Sequence, residues 1–201
     1  MRLSLNKNAL KQQRDHLTMF RRFLPSLDLK RQQLLGAHKE AQAQLANLEK
    51  DIEEFQQTLE NLLPSLGSST INPEKLGNLV RVRDVVLGEE NVVGAHIPVV
   101  REIKIDKVEY SMLTLPFWVD KLVDGLEQIA RLRILLQVNQ ARVAILGAAA
   151  RKITQRVNLF EKVLIPQAES NIKKIGIVLS DQERASVVRS KLAKRKRSGS
   201  R

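Results

Sequence analysis

Residues 3–62 read LSLNKNALKQQRDHLTMFRRFLPSLDLKRQQLLGAHKEAQAQLANLEKDIEEFQQTLENL, and their apolar positions recur in alternating steps of three and four. That spacing keeps one narrow stripe facing a partner helix, which is what a coiled-coil seam requires. One set of seam positions is Leu3, Leu10, Leu17, Leu24, Arg31, His38, Leu45, Ile52 and Leu59; the other is Asn6, Gln13, Phe20, Leu27, Leu34, Ala41, Leu48, Phe55 and Leu62. Fourteen of these eighteen are apolar with no break in phase, so the stretch predicts a single long helix. Pro25 falls beside the seam on the outer side, where a kink or local loosening is expected without loss of the stripe. A stop is expected at Leu63-Pro64, ahead of the breaker run Pro64-Ser65-Leu66-Gly67-Ser68-Ser69.

A partner helix is legible further along. From Thr114-Leu115-Pro116, with Thr114 as N-cap and Pro116 tolerated in the first turn, apolar residues fall at Val119, Leu122, Leu126, Ile129, Leu136 and Val143. The stripe continues through Leu146, Ala150, Ile153, Val157, Phe160, Leu164, Ala168, Ile172, Ile175 and Leu179. The step from Val143 to Leu146 and the two successive fours at Leu164–Ala168–Ile172 interrupt the alternation and are expected to change the local supercoil. Gly147-Ala148-Ala149-Ala150 would admit a close backbone, and Pro166 predicts a bend. Between the helices, Leu79–Leu87 and Val99–Val108 alternate partly with period two and read as strands, with Gly88-Glu89-Glu90-Asn91 as their turn.

The expected fold is therefore mainly α: a long antiparallel two-helix coiled coil formed by the N- and C-terminal helices, with a small mid-chain β-hairpin. Its divisions are a first helix over 1–63, a loop and hairpin over 64–113, a second helix over 114–190, and a basic tail over 191–201 that is too poor in apolar residues to pack and is expected to be disordered.

Composition agrees. Of 201 residues 43% are apolar, but only seven are aromatic, which suits a narrow seam better than a compact core. There is no cysteine, which removes disulfides, thiolate metal sites and Cys nucleophiles. No run of signal-peptide or membrane-spanning length occurs, so a soluble, cytoplasmic chain is expected. The net charge of +12 is unevenly placed: residues 1–35 and 151–201 are strongly basic and 36–150 slightly acidic. Folding back would bring both basic ends to one tip, which favours an acidic partner surface, nucleic acid or anionic lipid.

No phosphate loop, dinucleotide turn or metal helix occurs, so no catalytic, cofactor-binding or metal-ligating residue is expected. His16, His38 and His96 are isolated, and His38 reads as a structural, register-setting seam residue. Glu49, Asp51, Glu53, Glu54 and Glu60 flank seam positions and read as a solvated face. Lys194-Arg195-Lys196-Arg197 could serve nucleic acid, but no aromatic residue stands among these cations to stack on bases. Trp118, beside Phe117, reads as a packing anchor.

One stretch is more specific. Arg156-Val157-Asn158-Leu159-Phe160-Glu161-Lys162-Val163-Leu164-Ile165-Pro166-Gln167-Ala168-Glu169 resembles the Arg-Val-Asn-Ala-Leu-Glu-x-Val-x-Ile-Pro-x-x-Glu pattern of the D subunit, the central rotor shaft of V-type and A-type rotary ATPases. Ile172-Lys173-Lys174-Ile175 and Leu179-Ser180-Asp181-Gln182-Glu183-Arg184 continue it. Lys7–Arg14 and Leu29–Leu35 resemble the family's first helix more loosely. Pro25 departs from that pattern, in a Leu-Pro-Ser-Leu segment that suggests a divergent bacterial branch. The resemblance implies a non-catalytic rotor without cofactors, cytoplasmic and peripheral to the membrane, coupling ATP synthesis or hydrolysis elsewhere in the complex to proton or sodium transport. Its implied partners are the catalytic hexamer of A and B subunits, the F subunit, and the socket subunit (C/d) above the membrane ring, with membrane association only through the complex. Implied hexamer-bore contacts are Arg2, Lys7, Lys11, Arg14, Arg184, Arg189 and Lys191. Arg81, Arg83 and the hairpin around Gly88 are candidates for contacts with the F subunit. The reading from another class is a basic coiled-coil scaffold or nucleic-acid-binding protein.

Overall fold

The computed structural model describes residues 4–60, 79–107 and 118–198, leaving out the side chains of 59, 60, 118 and 198. Helix α1 spans Lys7–Glu60, strands β1 and β2 span Val80–Val92 and Ala95–Lys107, and helix α2 spans Trp118–Leu159. A π-helical turn, Phe160–Leu164, leads into α3, Ile165–Ser198. The expected helix stop at Leu63-Pro64, the Thr114 cap and the Trp118 anchor lie outside the described residues.

Burial on α1 follows the seam. Every predicted position from Leu10 to Phe55 is wholly or partly covered, and Leu34, Ala41 and Ile52 are buried. Asn6, expected in the seam, instead caps the helix: its Oδ1 accepts the Ala9 N–H at 2.7 Å. A short side-chain acceptor at that point satisfies one of the four amide donors a helix start leaves open. The acids at 49, 51, 53 and 54 are exposed, as their offset from the seam requires.

The chain divides into two compact units, Met1–Arg31 with Lys152–Arg201, and Gln32–Arg151. In the first, α1 lies antiparallel to the π-turn and α3: Phe20 meets Phe160 edge-on with centroids 5.4 Å apart, Asn171 donates to Gln13, and Lys7 faces Glu183. Ile153, Val157, Ala168 and Ile175 form its buried stripe. The bend expected at Pro166 takes the form of the π-turn: the Ile165 N–H bonds to the Phe160 carbonyl five residues back. Proline has no N–H for the ordinary ladder, and one extra residue per turn shifts the seam phase, as the Leu164–Ala168–Ile172 spacing requires. Pro25 sits within α1 on its exposed side. Helix α3 continues through Ser198, past the point where the basic run was expected to leave the fold, and its side chains from 181 to 197 are exposed on all sides. Leu, Ala, Lys and Arg are good helix formers and need no packing partner to continue a turn.

In the second unit α1 and α2 are again antiparallel. Arg142 Nη1 donates to Gln44 Oε1 at 3.3 Å, and His38 packs against Gly147, where a Cβ would lie 3.0 Å from the imidazole Nε2. The small-residue run thus admits a seam histidine. Strands β1 and β2 form an antiparallel hairpin whose turn is not at Gly88–Asn91, as expected from sequence, but at Val93-Gly94. Gly88 lies inside β1 opposite Val99, and Glu89, Glu90 and Asn91 remain paired with Pro98, Ile97 and His96. Val93 has φ 55° and Gly94 φ 89°, the pair of positive values that a two-residue hairpin turn matching strand twist needs. Asn91 Oδ1 braces it by accepting the Gly94 N–H at 2.7 Å.

A β-branched residue at positive φ is strained by roughly 1–2 kcal/mol. Val93→Asn, giving the preferred Asn-Gly turn, should therefore slow amide exchange at the hairpin tip several-fold; unchanged or faster exchange would contradict the turn geometry. Overfilling the His38 contact should cost stability: Gly147→Leu is expected to lose about 1–3 kcal/mol in urea unfolding. Adding His38→Ala should recover part of that loss, as a double-mutant cycle would show.

Candidate interaction surfaces and the hairpin strap

The described residues hold no group of three or more His, Cys, Asp or Glu side chains placed for a metal ion, and no helix long and apolar enough to cross a membrane. The candidate site is therefore sought in surfaces and in what positions them.

At the paired helix ends, Lys7, Lys11, Arg14, Arg184, Arg189 and Lys191 are all exposed. Lys7 lies 3.6 Å from Glu183, with both side chains more than two-thirds exposed, so the pair adds little stability. Arg2 lies outside the described residues. Val187, Val188 and Leu192 on α3 are more than half exposed beside Lys191, Lys194 and Arg195, apolar surface that nothing in the described chain covers. Such surface rimmed by charge is the usual mark of a partner-facing region.

The motif stretch has mixed structural duties. Val157 is 2% exposed and fills the seam. Glu169 accepts from Arg21 at 2.7 Å, a cross-helix tie that sequence offsets alone do not reveal. Glu161 and Val157 line an open groove of about 280 Å³ with Leu24, Pro25, Asp28 and Arg31. Ile165 and Pro166 follow the π-turn; Arg156 and Asn158 are exposed and half-buried respectively.

The hairpin is fixed at its base. An isolated two-stranded hairpin is marginal in water and needs a surface to pack on. Leu79, ahead of β1, packs with Val119 and Val123 from the first turns of α2, and Val80 covers them. Val123, 1% exposed, stands outside the expected seam and is buried in this cluster at the base of the hairpin. Lys107 at the end of β2 reaches Asp124 at 2.8 Å and Glu127 at 2.9 Å, and Glu127 also accepts from Arg131 at 2.7 Å. Hydrogen bonds from Lys107 and then Arg131 hold the Glu127 carboxyl below its ordinary range, and bonds to Asp124 and Glu127 raise the Lys107 ammonium above its own. Arg81 and Arg83 are exposed on β1, Arg83 lying 3.9 Å from Asp106.

A carboxyl whose pKa falls on folding stabilises the fold above its unfolded pKa and loses that contribution as pH drops through the folded value. A lysine whose pKa rises stabilises the fold below its unfolded pKa and loses that contribution only at high alkaline pH. The strap is thus complete across the neutral range. Hairpin protection factors should stay level through neutral pH and fall on acidification below the ordinary carboxyl range near 4.5. Glu127→Gln should weaken protection at neutral pH and flatten that acid response; an acid response identical to wild type would show that Glu127 is not the titrating tie.

A family model for the D subunit of ATP synthase matches residues 9–195. The chain is 38% identical over 195 residues to the V-type ATP synthase D subunit of Borreliella burgdorferi, covering 96% of this chain and 94% of that protein. It is 32% identical over 200 residues to the protein of that name from Chlamydia felis, with 96% and 93% covered, and 29% identical over 198 residues to that from Chlamydia pneumoniae, with 98% and 93% covered. These matches take in the helices, the π-turn and the hairpin alike, and the chain belongs to the ATP synthase D-subunit family.

Proposed function

We propose that the chain is the non-catalytic central shaft of a V/A-type rotary ATPase, carrying torque between the catalytic hexamer and the ion-translocating ring in the membrane. The observation that carries this reading is the near-complete match to D-subunit proteins, supported by the antiparallel seam within each compact unit. Helices locked by interdigitated side chains resist relative twisting, because each turn is held by close packing. In this reading ATP is made or hydrolysed between the A and B subunits of the hexamer, and the shaft contributes no catalytic group. The protein works in the cytoplasm and reaches the membrane only through the complex, contacting the F subunit and the socket subunit near the ring.

The paired basic ends would turn inside the hexamer bore. Dispersed charge suits a contact that must change at every angle, since it steers without one deep anchoring patch. Arg2, Lys7, Lys11, Arg14, Arg184, Arg189 and Lys191 are its proposed bearing, and Arg81, Arg83 and the Gly88 region its proposed contacts toward the F subunit.

Affinity purification of the tagged chain from its own cells should recover the hexamer subunits, and their reproducible absence would overturn the reading. Site-like nucleic-acid affinity at physiological salt, seen in gel shifts, would favour the basic-scaffold alternative instead. The triple change Arg184→Glu, Arg189→Glu, Lys191→Glu should cut hexamer recovery on the order of tenfold while free-chain stability moves by no more than about 0.5 kcal/mol, because these side chains are exposed. Undiminished recovery would remove these residues from the bearing.

A further inference from the structure

The hairpin pairing is interrupted twice. One extra residue falls on β1 between the pairs Val82–Ile105 and Asp84–Lys104, and one on β2 between Val86–Glu102 and Leu87–Val100. Both extra residues are arginines, Arg83 and Arg101. A bulge breaks the ladder locally and re-aims a side chain.

The two arginines serve the same face. Directly opposed residues point to one side of a sheet, and side chains alternate along each strand. Gly88, Val86, Asp84 and Arg81 therefore share a face with Val99, Glu102, Lys104 and Asp106. The Arg101 side chain lies across Gly88, where an added Cβ would come 3.1 Å from both its Cγ and Cδ. Glycine inside a strand weakens it unless something must approach closely, and here the approaching group is the stem of a bulged arginine. Arg83 reaches the same face at Asp106, at 3.9 Å with both side chains over half exposed. Arg81, Arg83, Asp84, Arg101, Glu102, Lys104 and Asp106 are all exposed; on the opposite side Val80, Val85, Ile103 and Ile105 are partly covered and Val82 and Leu87 exposed. Lys104 is paired with Glu102 at 3.6 Å. Arg81 and Arg101 have no carboxylate within ion-pair reach among the described residues.

We propose that this face of the hairpin docks an acidic protein surface of a neighbouring subunit in the ATPase complex, with Arg101 and Arg83 each gripping an exposed carboxylate. The guanidinium fork suits that task because it donates two parallel hydrogen bonds to a carboxylate, which a lysine cannot. The assignment rests on the shaft reading, adds Arg101 to the contact residues, and gives Gly88 a role as the bed for its stem and not as a turn.

Phenylglyoxal labelling of arginine tests it on the full chain, free and in the complex purified from native cells. Arg83 and Arg101 should react on the order of tenfold more slowly in the complex. With Arg101→Lys, zero-length carbodiimide coupling should join that position to an Asp or Glu of another subunit. Equal labelling rates in the two states, or coupling only to Asp84, Glu102 or Asp106 of the same chain, would overturn the proposal. Should the chain fail to co-purify with ATPase subunits at all, the shaft reading falls and takes this docking face with it. Co-purification with unprotected arginines defeats the docking face alone.

Discussion

The structure depends on one constraint: each helix carries an apolar stripe too narrow to be buried by anything except another helix running the other way. Within each unit the cross-helix contacts hold one antiparallel sense, Gln13 to Asn171 and Arg21 to Glu169 in the first, His38 to Gly147 and Gln44 to Arg142 in the second. Apolar burial drives the pairing, and the polar contacts at its edges decide register. Irregularities in the seam are matched to it. The π-turn before Pro166 absorbs the missing amide donor and restores the stripe, so Ala168 and Ile175 return to buried positions at 3% and 0% exposure.

The hairpin obeys a different constraint. Two strands cannot sustain themselves, so its base is tied to α2 by Leu79, Val119 and Val123 and by the Lys107 strap, which leaves a charged face available. Its exposed polar residues are thus set on an anchored base, and holding position falls to the base alone. The same division appears on α3, whose buried stripe ends at Ile175 and whose later side chains, from 181 to 197, are all exposed.

How much of this is legible in the sequence follows from the range of each interaction. Apart from Asn6, which caps α1, the seam is legible among the described residues because heptad spacing is local and sustained; each expected second-helix position from Val119 to Leu179 is covered. The two fours at Leu164–Ala168–Ile172 read only as a change of supercoil, and the structure places a π-turn just ahead of them, at Phe160–Leu164. The hairpin turn is misread because Gly88 and the polar residues after it look like a turn, whereas pairing with 96–99 and two bulges decide the register. Val93-Gly94 escapes notice because valine is a poor residue for positive φ, and only the Asn91 brace and the strand pairing hold it there. Lys107, Val123, Glu127 and Arg101 become meaningful only when strand and helix or the two strands are brought together. The basic surface residues can be nominated from charge, but their exposure is a tertiary fact.

The proposed shaft role requires this chain to turn within the complex, and that rotation can be tested directly. The chain contains no cysteine, so Glu90→Cys on the exposed hairpin would provide one defined attachment point on this chain for a gold bead, in a complex immobilised through its hexamer and otherwise stripped of reactive cysteines. Under ATP the bead should rotate in one direction. Continued ATP hydrolysis by a complex whose bead stays still would contradict the account.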